Sequence, residues 1–457
     1  DRRKMSNQSQ FTILEAVVIM SKGEGNPVEV DISASILEFQ TWEHIQKPYV
    51  DARLIFLDDF GMKDTLSVKG TERLKITFGD PQNIETPAFT KFFFFSRLND
   101  TVKQGDRSEY ISLELVEEHV YVDAVKQISR SYTGNFEDIC ELILGVDLGR
   151  PVIRNKFEGS AQGIRKVIVP YMSPLEAVQW LLSRATTRTG SPLYIHSTLY
   201  SNSLLMSDLD SLMKVPVRNP DTPLRYSSAI SSVDAQEQNK AKYYNIIQYN
   251  EQNGDDMMSM YENGNIGSYY SNIDAGTGIT SGDHISVRDI IDEFYNNSLI
   301  SPESSQTVYD PLLEIQGTLS DEYNSMNIFQ VTSSNTYNQF QSYHDEASLL
   351  DNNDNIAESK LKVKNKIIRS ILKKNVIDIG IEGALIMEAK ISAGDRVRMI
   401  FLNSNTEADN GDAYDQIDKR KSGDYFILAL NHKFSNDTHM VTSRLTKIGE
   451  LPKDYSV

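Results

Sequence analysis

Short alternating segments follow one another from Phe11 to Tyr121, and this pattern constrains the fold more than any other feature of the chain. Glycine, proline and asparagine separate the segments at spacings of about a dozen residues, which is typical of an antiparallel barrel or sandwich. The segments are "FTILEAVVIM", "VEVDI", "SILEFQTWEHI", "DARLIFLDD", "ERLKITFG", "FTKFFFFSRL" and "SEYISLELVEE". The sequence therefore predicts a β-rich first domain.

Four consecutive phenylalanines, Phe92 to Phe95, lie inside one of these predicted strands. Because side chains alternate between the two faces of a strand, such a run supplies a core on one face and a second apolar surface on the other. A fully exposed second surface would promote aggregation, so we expect a packed contact there, with a partner surface as one option.

The hydrophobic period changes at Asn135, which indicates a small α/β unit over about residues 134–217. Phe136, Ile139, Cys140 and Ile143 follow helical spacing, and we expect Gly145 to end that helix with Cys140 on its buried face. A second helix begins in "MSPLEAVQWLLSRATTRTG".

In this second helix, Ser173 is the predicted N-cap and Pro174 the first helical residue. Glu176 completes a capping box, and Gly190 is the predicted end. A short strand, "PLYIHS", is expected to follow.

The middle of the chain shifts to Asn, Ser, Asp, Tyr and Gly, and a basic segment from Lys360 to Lys374 closes it. An apolar stripe of Leu361, Ile368, Ile371 and Leu372 favours a helix in that segment. Its lysines and arginines form a solvated helix face, dock against an acidic neighbour, or contact phosphate. Strands return after it and end in the hairpin Ser422 to Glu450.

Charge and cysteine content exclude several classes of function. The formal net charge of -18 excludes nucleic-acid binding through a general basic surface, although an acidic wall suits a path that nucleic acid passes without sticking. The single cysteine excludes a disulfide framework and a cysteine-rich zinc site.

A length of 457 residues predicts two to four domains. No apolar run is long enough for a membrane-spanning helix, and the polar start predicts a mobile tail.

The catalytic and metal-binding motifs that we sought are absent from the sequence: there is no P-loop, dinucleotide fingerprint, nucleophile elbow or H-E-x-x-H.

His432 and His439 flank the terminal turn and are close enough in sequence to meet across the hairpin. Asp437 would be their only nearby carboxylate, so a metal site competes with a simple hydrogen-bonded strand histidine. Glu43 and His44 are neighbours in a strand and should point to opposite faces.

Several segments together resemble the baseplate hub, or tail-tube initiator, proteins of contractile-tailed bacteriophages. The resemblance rests on "EHIQKPY", "DDFG" and "KGTERLKITF" in the first β-rich stretch, on "ISRSYTGNFEDICELILGVDLG" and "VPYMSPLEAVQWLLSRA" as inter-domain helices, and on "SGDYFILALNHKFSNDTHMVTSRLTKIGE" as a closing hairpin. It covers most of residues 25–225 and 375–450, whereas residues 290–365 match nothing in that family.

The resemblance implies an α+β, β-rich fold with two tube-type β-barrel domains in one chain, a small α/β domain and an irregular insert. The implied divisions are a flexible tail at 1–10, a first tube domain at 11–130, a small α/β domain at 131–224, a second tube domain at 225–289 plus 375–457, and an Asn/Ser-rich insert at 290–374 that ends in a basic helix.

The resemblance also implies a homotrimer that joins a sixfold tail tube or tube-adaptor protein above to a threefold central spike below. Other baseplate proteins would be neighbours, and DNA would pass through the channel without specific binding. The expected location is the tail baseplate of the virion, assembled in the host cytoplasm, with no membrane insertion by the chain itself. No enzymatic activity, catalytic residue, cofactor or metal is expected. The candidate interface residues are Phe92, Phe94, Tyr425, Ile427, His432, Lys433 and Arg444.

Two other hypotheses stay open from the sequence. A cell-wall hydrolase would turn over peptidoglycan and would need a cleft with a perturbed acid. A receptor-binding module would use the Tyr- and Asn-rich middle, residues 245–365, to contact glycans.

Overall fold

The fold is described from a computed structural model of the chain, and all structural statements concern the residues that the structure describes. These are residues 12–20, 27–59, 61, 72–80, 88–103, 108–161, 164–226, 244–253, 267–274, 280–286, 326–332, 361, 364–369, 372–373, 375–402, 417–418, 421–435, 438–449 and 451.

The first part of the chain is a run of strands, as the alternation predicts. We call it the first β block. Its elements are β1 (Thr12–Met20), β2 (Val28–Asp31), a 3-10 turn (Ser33–Ser35), β3 (Ile36–His44), β4 (Asp51–Asp58), β5 (Arg73–Gly79), β6 (Phe89–Lys103) and β7 (Glu109–Val116).

A mixed unit follows, which we call the small unit. It contains α1 (Glu118–Val125), β8 (Ile128–Gly134), α2 (Phe136–Leu142), a π turn (Ile143–Asp147), β9 (Val152–Arg154), β10 (Arg165–Met172), α3 (Pro174–Leu182), β11 (Leu193–His196), β12 (Leu204–Asp208) and α4 (Leu209–Met213).

The rest of the described chain is again mainly strands. The elements are β13 (Leu224–Tyr226), β14 (Ile246–Asn253), β15 (Gly267–Asp274), β16 (Thr280–Ser286), β17 (Met326–Thr332), β18 (Asn375–Glu382), α5 (Ala384–Glu388), β19 (Arg396–Phe401), β20 (Gly423–Ser435) and β21 (Thr438–Gly449). We call β13, β14, β18 to β21 and α5 the second β block. Strands β15, β16 and β17 form a separate small sheet.

One large sheet runs through both β blocks. Among the described strands its order is β14-β18-β21-β20-β3-β4-β7-β6-β5-β1-β2, with β19 beside β20 and β13 beside β19. The neighbours along this path are antiparallel, whereas β13 and β19 run parallel. The fold is therefore β-rich and dominated by a large antiparallel sheet, as the sequence predicts.

Each of the three regions has its own hydrophobic core. The core of the first β block is rich in phenylalanine, and Phe39, Phe78 and Phe93 pack with ring centroids 5.8–6.0 Å apart. The core of the small unit includes Cys140, whose burial is confirmed. Burial raises the pKa of the Cys140 thiol, so the sulfur is an uncharged core atom.

The predicted helix signals in the small unit are partly confirmed. Ser173 caps α3 by accepting a hydrogen bond from the backbone N–H of Glu176, with Pro174 in the first turn. The predicted end at Gly190 is wrong: α3 ends at Leu182, and Gly190 lies in a later turn at φ +89°. Gly145 does not end the preceding helix either, because α2 gives way to the π turn at Ile143.

Two parts of the predicted organisation lie outside or partly outside the described residues. The tail at 1–10 lies outside them, as does most of the insert at 290–374. Within that insert the structure describes β17, which pairs in parallel with β15, so the insert contains regular structure where an irregular one is predicted. The division of the chain into domains stays a prediction. No helix of the described residues is long and apolar enough to cross a membrane.

Candidate functional site: the seam between the two β blocks

The two β blocks meet along one strand pair, β3 with β20, and we call this junction the seam. Seven residue pairs join the strands, from Ala429 opposite His44 to Ser435 opposite Glu38. On the core side, Phe434 of β20 packs 6.4 Å from Phe39 of β3, centroid to centroid. The first block therefore shares both a hydrogen-bonded ladder and core packing with the last strands of the chain.

A loop of the small unit, residues 197–203, packs beneath the seam with its first three residues buried, and we call it the clasp loop. The Leu199 backbone N–H donates a short hydrogen bond to the Glu43 carboxylate of β3. The Tyr200 hydroxyl lies 3.2 Å from the Ile386 carbonyl oxygen and 3.2 Å from the Met387 sulfur, both in α5. The clasp loop thus contacts both β blocks at once.

Glu43 is the point where three parts of the chain meet. Its side chain is 1% exposed, and its second oxygen accepts a 3.5 Å hydrogen bond from the Ala393 N–H in the second block. Burial raises the pKa of Glu43 to about 7, although the Leu199 N–H and the charge of Lys91 act in the opposite direction. Near neutral pH this carboxyl group is therefore poised between its protonated and charged forms.

A buried ion pair holds the other side of the clasp loop. Lys91 Nζ lies 2.8 Å from Glu117 Oε1, and both side chains are 1% exposed. The same ammonium donates 2.8 Å hydrogen bonds to the carbonyl oxygens of Thr198 and Ser201. Burial alone would raise the pKa of Glu117, but the charges of Lys91 and His119 and its hydrogen bonds outweigh burial and lower it.

The two histidines of the terminal hairpin meet, as their spacing predicts. His432 Nδ1 lies 3.2 Å from His439 Nε2, and the two rings stack. Burial lowers the pKa of His432 to about 3, and burial with the nearby His432 lowers that of His439 further below its usual value. Both rings are therefore neutral near physiological pH, with His432 buried and His439 half-buried. His439 also packs against the backbone of Gly383, where an added Cβ would lie 2.0 Å from His439 Nδ1.

The stacked rings of His432 and His439 fit the packing interpretation, and the metal-site interpretation stays untested. No group of three or more His, Cys, Asp or Glu side chains among the described residues is arranged to hold a metal ion. Asp437, the only carboxylate expected nearby, lies outside the described residues.

The candidate interface residues divide into buried and accessible groups. Tyr425, Ile427 and His432 are 0% exposed in the chain's own core, so their assignment to an interface is revised. Phe94 is 7% exposed because Tyr121 stacks on its ring at 5.8 Å and Arg73 covers it. The remaining three, Phe92, Lys433 and Arg444, are 44–47% exposed, and their interface role stays a prediction.

The side of the large sheet opposite the cores is polar, and we call it the polar face. Two neighbouring rows of directly paired residues mark it across five strands from both blocks. One row contains Asn431, Trp42, Asp51, Val116 and Phe94, and the other contains Lys433, Gln40, Arg53, Glu114 and Arg97.

Ion pairs between neighbouring strands are frequent on this face. Lys433 pairs with Glu38 at 2.8 Å, Arg444 with Asp378 at 2.9 Å and Lys75 with Glu15 at 2.8 Å. The first of these pairs crosses the seam.

The basic segment packs against its own chain. Residues 364–369 are helical, and Ile367, Ile368 and Leu372 are buried. The Arg369 guanidinium lies 5.2 Å from the centre of the Tyr194 ring, and the Asn365 side chain reaches the Ala185 carbonyl at 3.5 Å. Of the three interpretations of this segment, the solvated helix with one buried stripe fits these contacts.

Sequence reasoning missed the buried polar residues of the seam, although one signal was present. Lys91, Phe93 and Phe95 lie at alternate positions of β6, so a lysine shares the core face with two phenylalanines. A lone charge on an apolar face requires a buried partner. No comparable local signal marks Glu117 or Tyr200.

Comparison with known proteins places the fold. No protein-family model and no curated protein sequence matches the chain. A tail protein from Neisseria meningitidis aligns with a TM-score of 0.51 and 11% identity, covering 96% of each chain. A 43 kDa tail protein of prophage MuSo2 from Shewanella oneidensis aligns with a TM-score of 0.50 and 11% identity, covering 95% of this chain and 98% of the other. The chain therefore shares its fold with tail proteins over nearly its whole length.

Proposed function

We propose that the chain is a structural tail protein, a baseplate hub that forms a homotrimer between a sixfold tail tube and a threefold central spike. The observation that carries the proposal is the near full-length structural likeness to two tail proteins from different bacteria. The resemblance of separate sequence segments to baseplate hubs, in the same order along the chain, supports it independently.

The two β blocks would be the two tube-type barrels of the hub. Each block is built around its own main core cluster, and the seam joins them in one sheet, with Met387 and Phe434 of the second block completing the first cluster. The strands of the second block follow the order β14-β18-β21-β20-β19-β13. The last strand comes back beside the first, because an isolated bridge pairs Arg225 of β13 with Asn245, which directly precedes β14. Two such units in one chain allow three copies to present six similar units to the tube.

The polar face would line the channel of the ring, except near the β5–β6 side of the first block, where the exposed Phe92 beside Lys75 would meet the neighbouring copy. It lies opposite the cores and crosses both blocks without interruption, and several of its charges are compensated within the chain. An acidic chain whose wall carries paired charges would let DNA pass without strong attachment. Among the described strands, β2 ends the sheet path in the first block, and contact with a neighbouring copy in a closed ring would cover it.

Native mass spectrometry and particle imaging of the full chain test this proposal. We expect a species of three times the chain mass of 51.7 kDa and a ring with a central opening. A protein that stays monomeric at micromolar concentration, without ring particles, would overturn it.

One substitution tests where the copies meet. Phe92→Glu should shift the mass distribution to smaller species because it places a charge at an exposed apolar side chain, whereas Phe92→Leu should leave the trimer intact. A trimer that survives Phe92→Glu would remove Phe92 from the interface and leave the ring proposal standing.

We propose that the hub has no enzymatic activity, in keeping with the two tail proteins that share its fold. Incubation of the trimer with peptidoglycan should release no soluble fragments. Measurable turnover would instead favour the cell-wall hydrolase.

A further inference from the structure

A cleft opens on the polar face of the first β block. Its volume is about 650 Å³, which is within the usual range for small-molecule sites. The indole of Trp42, on β3, is 37% exposed at the cleft wall. Arg53, Arg97, Asn99 and Glu114 line the cleft from the three strands beyond. An aromatic plane, two guanidinium groups, an amide and a carboxylate therefore face one space.

The backbone of β6 is irregular at this cleft. Its register against β7 shifts twice, between Phe95 and Arg97 and again between Leu98 and Asp100. Bulges of this kind redirect side chains and are frequent next to binding sites. Ser96, Arg97 and Asn99 consequently all line the cleft, although strict alternation would place Ser96 and Arg97 on opposite faces.

The arginines of the cleft differ from other cations on the polar face. Lys75, Lys433 and Arg444 each hold a carboxylate at 2.8–2.9 Å. Arg53 instead donates to the Ser112 hydroxyl at 3.3 Å. Arg97 has no ion-pair partner among the residues that the structure describes.

The carboxylates of the cleft do have partners. Glu114 accepts a 2.8 Å hydrogen bond from the Asn99 amide, and Asp51 pairs with Lys47 at 2.8 Å. Within the described part of the chain, neither Arg53 nor Arg97 therefore holds a carboxylate at ion-pair distance, although Glu114 lies between them in the sheet register and an exposed indole lies beside them.

We propose that this cleft binds a nucleotide unit, with the base on the Trp42 ring and the phosphate between Arg53 and Arg97. Guanidinium groups bind phosphate oxygens through paired hydrogen bonds, and an indole face stacks on any base. Glu114 and Asn99, which are hydrogen-bonded to each other, border the base position. Among the described residues of the polar face, the ion-paired Lys75, Lys433 and Arg444 offer no comparable pair of arginines beside an indole.

This chemistry fits a nucleotide better than an acidic sugar. A sugar acid would use the arginines and the indole equally well, but it would need several hydroxyl partners, and Glu114 with Asn99 are already joined to each other. Two sources share the nucleotide chemistry: a free mononucleotide and the end or an unpaired stretch of a DNA strand. The inference goes beyond the hub proposal and does not depend on the trimer.

Fluorescence titration of the full chain tests the site. The chain has two tryptophans, so Trp180→Phe leaves Trp42 as the reporter. We expect dTMP to quench the Trp42 fluorescence saturably. Inorganic phosphate should compete with dTMP for the arginines but should not itself quench the fluorescence, because it has no base to stack on the indole. A ten-nucleotide single strand of thymidine should bind more tightly than dTMP if a DNA strand is the source. Equal affinity per site would assign the site to free nucleotides.

Variants separate the cleft from general electrostatics. Arg97→Gln and Arg53→Gln should each weaken binding about tenfold or more, because each removes a charge-assisted hydrogen bond to phosphate. Arg444→Gln, which removes a cation of the same face in the second β block, should leave the affinity unchanged. Circular dichroism checks that the variants are folded.

Three results would overturn the inference. These are the absence of saturable quenching by dTMP and the oligonucleotide, an equal loss of affinity in Arg444→Gln and Arg97→Gln, and saturable quenching by polygalacturonate but not by dTMP. The last result would assign the cleft to an acidic glycan. Because the oligomeric state is measured separately, failure of this inference is distinguishable from failure of the hub proposal.

Discussion

The core side of the large sheet, beneath the seam, and the polar face on its other side use charged residues in different ways. Beneath the seam, Lys91, Glu117 and Glu43 are 1% exposed. Lys91 and Glu43 hold the clasp loop through hydrogen bonds with its backbone, and Glu117 pairs with Lys91. On the polar face, Lys433 and Arg444 pair with carboxylates but remain 44–47% exposed. The same residue types therefore fix the geometry of the molecule on one side and mainly set its surface chemistry on the other.

The largest expected difference between the two sides comes from Lys91→Met. This change removes the ammonium that Glu117 shares with the Arg150 guanidinium, which stays 3.0 Å from the same oxygen, and it frees the Thr198 and Ser201 carbonyls. The free energy of unfolding should therefore fall by about 3 kcal/mol, the lower end of the range for a broken buried pair. Urea denaturation measures the loss, and Lys433→Met on the polar face is the matched control, expected to cost less than about 1 kcal/mol. Equal losses would contradict the distinction between seam and face.

A second prediction concerns pH and Glu43. Its folded pKa of about 7 lies above the ordinary value of 4.5, so the folded state binds the extra proton between these pH values. The contribution of Glu43 to stability is therefore complete below about pH 4.5 and is lost as the pH rises through 7. The predicted loss is about 3 kcal/mol.

Glu43→Gln should remove this pH dependence. Buried histidines act in the opposite sense, because burial lowers the pKa of His432 and His439 and their protonation destabilises the fold as pH falls below about 6.5. The informative quantity is thus the difference in unfolding free energy between wild type and Glu43→Gln from pH 5 to pH 8. A difference that does not change with pH would show that Glu43 keeps an ordinary pKa.

The smallest expected effect is on the polar face. A double-mutant cycle with Arg444→Gln and Asp378→Asn should give a coupling energy of about 0.2–1 kcal/mol, since the pair is exposed and screened by salt. Raising the salt concentration should reduce the coupling further. A coupling energy above about 2 kcal/mol would place this pair with the buried contacts of the seam.

The elements of the fold were largely predictable from local pattern. Alternation gives the strands of the first β block, and Ser173 with Glu176 gives the start of α3. Helix ends were less predictable, because Gly145 and Gly190 are equally suitable stop signals by residue type, whereas the actual ends depend on packing in the small unit.

The seam could be anticipated only in part. The approach of His432 to His439 follows from hairpin spacing, since both residues lie on the same short-range ladder. The contacts of Glu43 with Leu199 and Ala393 join residues 156 and 350 positions apart, and no local pattern encodes such pairings. The burial of Tyr425 and Ile427 was missed for a related reason: alternation identifies two faces but does not say which one a distant block covers.

The pairing of β3 with β20 also has a consequence for biosynthesis. Strand β3 leaves the ribosome early, whereas its partner β20 begins only at Gly423, far along the chain. Until β20 has been synthesised, one flank of the nascent N-terminal sheet has no strand to pair with, and a product that terminates before β20 keeps that flank open. The first β block therefore has to avoid edge-to-edge association for as long as the ribosome takes to reach β20.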